Sequence, residues 1–151
     1  MSSHFRSMAS NQPSNNDDGG ECSDGTEGQM RGGCFLKTLN REKMVDFYSS
    51  KIGMKVWLEQ PNTTIMSFGN LLIGWHQSET DVDLCGMYTF VYPSKEEVDQ
   101  MYSIMEESAD GPPRFNPRYQ IYQFFAKDPE GRALEFQAFL HDTPVVTSQA
   151  E

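Results

Sequence analysis

From residue 31 onward the apolar residues keep two rhythms, a strand period of two and a helix period near 3.6, and the rhythms alternate in a fixed order. "GGCFLKTL" alternates as a short strand. Asn40 is a good N-cap for "REKMVDFYSSKIG", which carries Met44, Val45, Phe47, Tyr48 and Ile52 on one side and ends at a C-cap glycine, Gly53. Three strand-like pieces follow, "MKVWLEQ", "TTIMSFG" and "NLLIGWHQ", parted by "PN" and "GN" turns. After the polar stretch "SETDVDLC" the order recurs. "GMYTFVY" reads as a strand, and Pro93-Ser94 opens the amphipathic helix "KEEVDQMYSIMEES", with Met101, Tyr102, Ile104 and Met105 expected in the core. "ADGPP" stops the helix, and "RFNPRYQIY", "YQFFAKD" and "RALEFQAFL" read as strands.

The chain therefore carries an internal repeat of about 50 residues, strand–helix–strand–strand–strand taken twice. A displacement of 53 sets Gly33-Cys34 on Gly86-Met87 and Val45-Asp46 on Val98-Asp99. At the far end "GNLLIGW" falls on "GRALEFQ", which matches Gly69 to Gly131 and Ile73 to Glu135. The organisation expected is a first module over 31–77, a linker over 78–85, a second module over 86–142 and a short flexible end over 143–151. The fold class is α+β.

Residues 1–30 break the pattern. Ser, Asn, Gly and Asp dominate, Phe5 is the only aromatic, and five acids (Asp17, Asp18, Glu21, Asp24, Glu27) face one base, Arg6. Such a segment buries too little apolar area to offset its ordering entropy, and it reads as a disordered acidic tail. The whole chain of 151 residues has a formal charge of -10, which disfavours nucleic acid and anionic membrane as partners. No apolar run approaches the ~20 residues a bilayer requires, and no charged-then-apolar signal stretch opens the chain. Cys22, Cys34 and Cys85 are odd in number and lack CxxC spacing, which points to a reducing cytoplasm, with Cys34 and Cys85 as small buried hydrophobes. Phosphate-cradling glycine loops, GxSxG, HExxH and Cys–His signatures are absent.

One residue asks for an explanation. Glu135 stands between Leu134 and Phe136 in "KDPEGRALEFQAFL", and a carboxylate in an apolar strand needs water, a partner, a metal or a ligand. "NREKMVDFYSSKIGMKV" and "AKDPEGRALEFQ", over a span of about 31–141, resemble the opening and closing motifs of the vicinal-oxygen-chelate superfamily, which includes glyoxalase I, bleomycin resistance proteins and extradiol dioxygenases. The resemblance implies two βαβββ modules forming a curved, mostly antiparallel sheet around a cleft. It also implies homodimerisation. Where such proteins use a divalent metal, His, Glu or Gln side chains hold it from the first and last strand of each module. Carried over, those four positions are Gly33, Ile73, Gly86 and Glu135, of which only Glu135 can ligate through a side chain. His76 lies three residues past Ile73 with the opposite strand parity, His141 follows the final strand, and His4 lies in the tail. No metal cofactor is expected.

Strand parity from the same register places Phe35, Lys37, Trp75, Tyr88, Phe90, Glu135 and Gln137 on one wall, an aromatic pocket with a few polar groups. That composition suits a planar or cationic small molecule, and it is similar to the drug-sequestering members of the superfamily, which bind without turnover. Two alternatives stay open. A metal-dependent lyase, isomerase or dioxygenase of the glyoxalase type requires the register to shift by one or two residues. A partner-binding module requires the cleft to be filled by side chains, with Glu135 paired to Lys37 or Arg132.

Overall fold

The computed structural model describes residues 31–146. The acidic stretch 1–30 and residues 147–151 lie outside the described residues. The first module runs β1 (Gly33–Thr38), α1 (Arg41–Phe47), β2 (Lys55–Gln60), β3 (Thr63–Phe68) and β4 (Leu71–Gln77), and the second runs β5 (Met87–Val91), α2 (Lys95–Met105), β6 (Arg114–Asn116), β7 (Ile121–Lys127) and β8 (Ala133–Phe139). The strands form two four-stranded sheets, ordered β1-β4-β3-β2 and β5-β8-β7-β6, and neither closes. In each sheet the first and last strands pair parallel and the other pairs are antiparallel.

Local chemistry explains the helix boundaries. Asn40 accepts from the Lys43 amide at 3.0 Å and starts α1. A π-helical turn, Tyr48–Ile52, extends that helix and closes on Gly53, whose φ of 84 suits a residue without Cβ. Ser94 and Glu97 make a reciprocal capping box at α2, where the Ser94 hydroxyl accepts from the Glu97 amide at 3.3 Å and donates to its carboxylate at 2.9 Å. Val98, Met101 and Met105, spaced i, i+3, i+7, form the buried stripe of α2. Ile104 lies off that stripe and is 46% exposed, so its expected place in the core is corrected.

Each sheet turns one face to its helix, and the two covered faces share one core. Phe68 of the first module meets Phe90 of the second edge-on at 5.1 Å, and Phe136 stacks on both Phe90 (5.5 Å) and Phe124 (4.8 Å). Fully burying such a ring contributes about 1.5–3 kcal/mol, so this aromatic row is a main tie between the modules.

Two further expectations are corrected. Strand β6 stops at Asn116, because Pro117 removes a donor and Gln120 takes φ 51 in the turn that follows. Cys34 and Cys85 are exposed, standing at the start of β1 and in the linker rather than in the core. The linker itself is an added edge on β1: Ser78 donates to the Thr38 carbonyl at 2.8 Å, and Asp83 and Lys37 exchange backbone and carboxylate hydrogen bonds at 3.2 and 2.8 Å. Among the described residues no helix is long and apolar enough to cross a membrane.

Candidate functional site

Residues paired across strands share a face, so the registers assign every expected site residue. In the second sheet Thr89, Glu135 and Phe125 form one row, and Val91, Gln137, Gln123 and Arg114 form the next, all on the face turned away from α2. Tyr88 and Phe90 alternate to the other side, where Phe90 is fully buried in the core and the Tyr88 hydroxyl donates to the Cys85 carbonyl at 3.1 Å. In the first sheet Phe35 pairs with Gly74 and Lys37 with His76, whereas Leu36 pairs with Trp75 and Cys34 with Ile73. Trp75 and Ile73 are fully buried beneath α1.

The single wall expected from strand parity is therefore divided. Phe35, Lys37, Glu135 and Gln137 lie on open faces, while Trp75, Tyr88 and Phe90 lie on the helix side. The physical reason is register. Leu72, the second residue of β4, opposes the first residue of β1, Gly33, whereas Ala133, the first residue of β8, opposes the first residue of β5, Met87. The last strands are thus offset by one residue, and an offset of one along a strand exchanges its faces. The position that matches Glu135 in register is consequently Gly74, and the match of Gln137 is His76.

The two open faces differ sharply at that matched position. A Cβ on Gly74 would clash with the Phe35 ring, so the ring lies directly on the glycine, with Phe35 58% exposed overall. In the second sheet the same place holds a hydrogen-bonded pair, the Thr89 hydroxyl donating to Glu135 Oε2 at 2.8 Å. Glu135 is only 7% exposed, and Gln123 and Gln137 beside it are each 8% exposed. Gln123 Oε1 is buried with no donor among the described residues. Sequence reasoning missed Gln123; its alternation with Phe125 in "YQFFAKD" is the signal that could have placed it.

Neither base proposed as a partner reaches Glu135. Lys37 pairs with Asp81 at 2.9 Å. That hydrogen bond raises the lysine pKa and, with help from Ser78 and Thr80, holds Asp81 at about 2. Both side chains are about half exposed, so the pair adds little stability. Arg132 is fully buried elsewhere and makes ion pairs with Asp128 (3.0 Å) and Glu130 (2.9 Å).

Around Arg132 the "DPEGR" turn forms an inter-module clamp that sequence reasoning also missed. The guanidinium donates to the backbone carbonyls of Asp83 (2.8 Å) and Lys37 (2.7 Å) and lies 5.0 Å over the Trp75 ring. Glu130 accepts from the Thr38 hydroxyl (2.6 Å) and the Leu39 amide (3.0 Å), and Asp128 accepts from the buried Tyr48 hydroxyl (2.9 Å). Burial, then the Asp128 charge and hydrogen bond, push the Tyr48 pKa far up. At Glu130 burial favours the neutral acid, but hydrogen bonds from Thr38, Arg132 and Leu39 outweigh it and the folded-state pKa falls below 4.5. A carboxyl depressed by folding stabilises the native state above its unfolded pKa and loses that contribution as pH drops through the folded value. Thermal midpoints measured between pH 7 and pH 3 should accordingly fall, and Glu130→Gln should flatten part of that slope. An unchanged slope in the variant counts against the assignment.

The side chains do not fit a divalent metal held by the fold's four strand positions. Of the positions carried over, Gly33 has no donor side chain, Ile73 is buried in the core and Gly86 precedes β5, while the structural match of Glu135 is Gly74, a glycine under a phenylalanine ring. Among the described residues no three His, Cys, Asp or Glu side chains come together as a metal-holding group. His76 is on the open side of the first sheet, where its Nδ1 is 2.9 Å from the Thr63 hydroxyl. Glu135 itself lines neither of two cavities. One of about 470 Å³ lies between α1 and the β2–β3 edge beside Arg41, Asp46 and Glu59, and one of about 180 Å³ lies at the edge of β7.

No family model matches the chain, and no curated protein matches it. Solved structures do. A glyoxalase/bleomycin resistance protein/dioxygenase family enzyme from Burkholderia phytofirmans PsJN superposes with a TM-score of 0.63 at 20% identity, covering 72% of this chain and 97% of that one. A glyoxalase/bleomycin resistance protein/dioxygenase from Nocardioides gives 0.60 at 17% identity, over 76% and 85%. A lactoylglutathione lyase from Agrobacterium tumefaciens gives 0.59 at 17%, over 75% and 95%. At these identities the likeness is one of fold.

Proposed function

We propose that this chain, which has the glyoxalase/bleomycin resistance fold, binds a small aromatic or cationic molecule on the open face of its second sheet, with Glu135 as the principal polar contact. One observation carries the reading. Among the described residues, Glu135, Gln123 and Gln137 are all more than nine-tenths buried on a sheet face that no helix covers, and Glu135 meets only a neutral hydroxyl. A buried carboxylate and a buried amide oxygen without donors each cost free energy that a ligand bearing N–H groups recovers. On this reading the binding is non-catalytic and metal-free, since Glu135 is the one side chain among the four carried-over positions that could ligate.

Glu135→Gln tests this. The substitution keeps the shape and the Thr89 contact, so the thermal midpoint should change by only a few degrees. Affinity for a cationic aromatic probe such as benzamidine should fall roughly tenfold, the range for losing one charge-assisted hydrogen bond. A stability loss above about 3 kcal/mol would instead mark Glu135 as half of a structural pair. A ligand that binds only the native state raises the midpoint by mass action, so a broad cationic and aromatic library that shifts nothing sinks the reading.

A glyoxalase-type metalloenzyme is the competing reading, favoured by the fold's likeness to a lactoylglutathione lyase structure. Stoichiometric Ni, Zn, Fe or Mn in protein purified without chelator would establish it. A partner-binding module is favoured by the exposed apolar side chains Phe35, Met87, Val91 and Phe139, 39–58% accessible, on the same open faces.

A further inference from the structure

Beside the Glu135 row the second sheet carries a feature with a different charge. Ala109 bridges to Ala126, and Arg114 pairs with Gln123. Between these two links the four residues 110–113 stand opposite only two, Phe124 and Phe125. Pro112 and Pro113 have no N–H to add to the ladder, and Gly111 takes φ 124, so the loop bows outward from β7. Asp110 alone fastens it there, its amide donating to the Phe125 carbonyl at 2.8 Å. The space left is the cavity of about 180 Å³, lined by residues 110–114 and by Phe124 and Phe125; Arg114 and Phe125 belong to the open face and Phe124 to the core.

The rows join this cavity to the acceptors already described. Phe125 is the direct neighbour of Glu135, and Arg114 is the direct neighbour of Gln123. Strands lie ~4.8 Å apart, so Arg114 on β6 stands two strand spacings, roughly 10 Å, from the strand that bears Glu135. The nine-tenths-buried Gln123, with its unpartnered oxygen, lies between them. Among the described residues Arg114 has no carboxylate at salt-bridge distance.

Resting on the reading of Glu135 given above, we propose that the ligand is zwitterionic: an amidinium- or ammonium-type group meets Glu135 and the Gln123 oxygen, and an anionic group about one ring length away meets Arg114 on the open face. Arginine suits a carboxylate here because its planar fork donates to both oxygens.

The test uses two probes, benzamidine and 4-amidinobenzoate, titrated by calorimetry into the wild-type chain and into Arg114→Gln, Arg114→Lys and Glu135→Gln. The wild type should bind 4-amidinobenzoate roughly tenfold more tightly than benzamidine, one charge-assisted contact's worth. Arg114→Gln should erase that preference and leave benzamidine affinity unchanged, Arg114→Lys should keep part of it, and Glu135→Gln should weaken both probes equally. Equal wild-type affinities, or a preference that survives Arg114→Gln, overturn the anionic subsite while the Glu135 contact stands. Failure of benzamidine to bind, or indifference to Glu135→Gln, overturns both. Arg114 is exposed, and any folding defect in Arg114→Gln is checked against Arg114→Lys.

Discussion

Arg132→Met is expected to lower stability by about 3–5 kcal/mol, the cost of removing one partner from a buried ionic group. Methionine fills much of the same volume, so the loss reports the charge and its hydrogen bonds more than a void. What remains is a buried Asp128, the Glu130 carboxylate, and the Lys37 and Asp83 carbonyls, all stripped of the guanidinium at once, with only neutral donors left to the two acids. The midpoint of urea unfolding should drop with little change in slope, since the core surface exposed is the same. Asp128→Asn combined with Arg132→Met should cost less than the two single losses added, because each single change strands the other's charge. A single-variant loss under 1 kcal/mol would show that the clamp is dispensable.

Trp75→Ala should cost a similar ~3–5 kcal/mol, the range for deleting a large buried ring. Trp75 has no exposed surface, lies 4.6 Å from the Tyr48 ring, and has the Arg132 guanidinium 5.0 Å above it. Its Nε1 is buried without an acceptor among the described residues, so Trp75→Phe should lose distinctly less than Trp75→Ala, because it also removes an unsatisfied donor. The variant that separates core from binding face is therefore the same one. Folded Trp75→Ala should bind benzamidine as the wild type does, whereas a stable variant that had lost binding would return Trp75 to the ligand wall.

Element order, the repeat and the fold class were legible because each rests on local signals: period-two and period-3.6 patterning, Asn40 and Ser94 as caps, Gly53 and Gly131 at turns of positive φ. Faces were harder. Anchoring the repeat on Gly69 and Gly131 matched Ile73 to Glu135, but β4 pairs with β1 one residue further along than β8 pairs with β5, which brings Gly74 into that place. Glu135 and Gln137 stayed on the open side, where Phe35 and Lys37 also lie, while Trp75, Tyr88 and Phe90 went to the helix side. The Arg132 clamp was invisible for another reason. Its partners lie up to 95 positions away, and nothing in "DPEGR" states which distant carbonyls it will meet.

That separation has a consequence for the time course of folding. The clamp's cross-module contacts span 80 positions from Tyr48 to Asp128, 92 from Thr38 to Glu130, and 95 from Lys37 to Arg132. The antiparallel pairs of each module close over far shorter loops and meet a smaller entropic barrier. Contacts of long range that join two largely formed halves belong on the native side of the folding barrier. Their loss then appears in the unfolding limb of a chevron and leaves the refolding limb nearly in place. The "DPEGR" turn would thus govern how long the native protein lasts once made more than how quickly it forms.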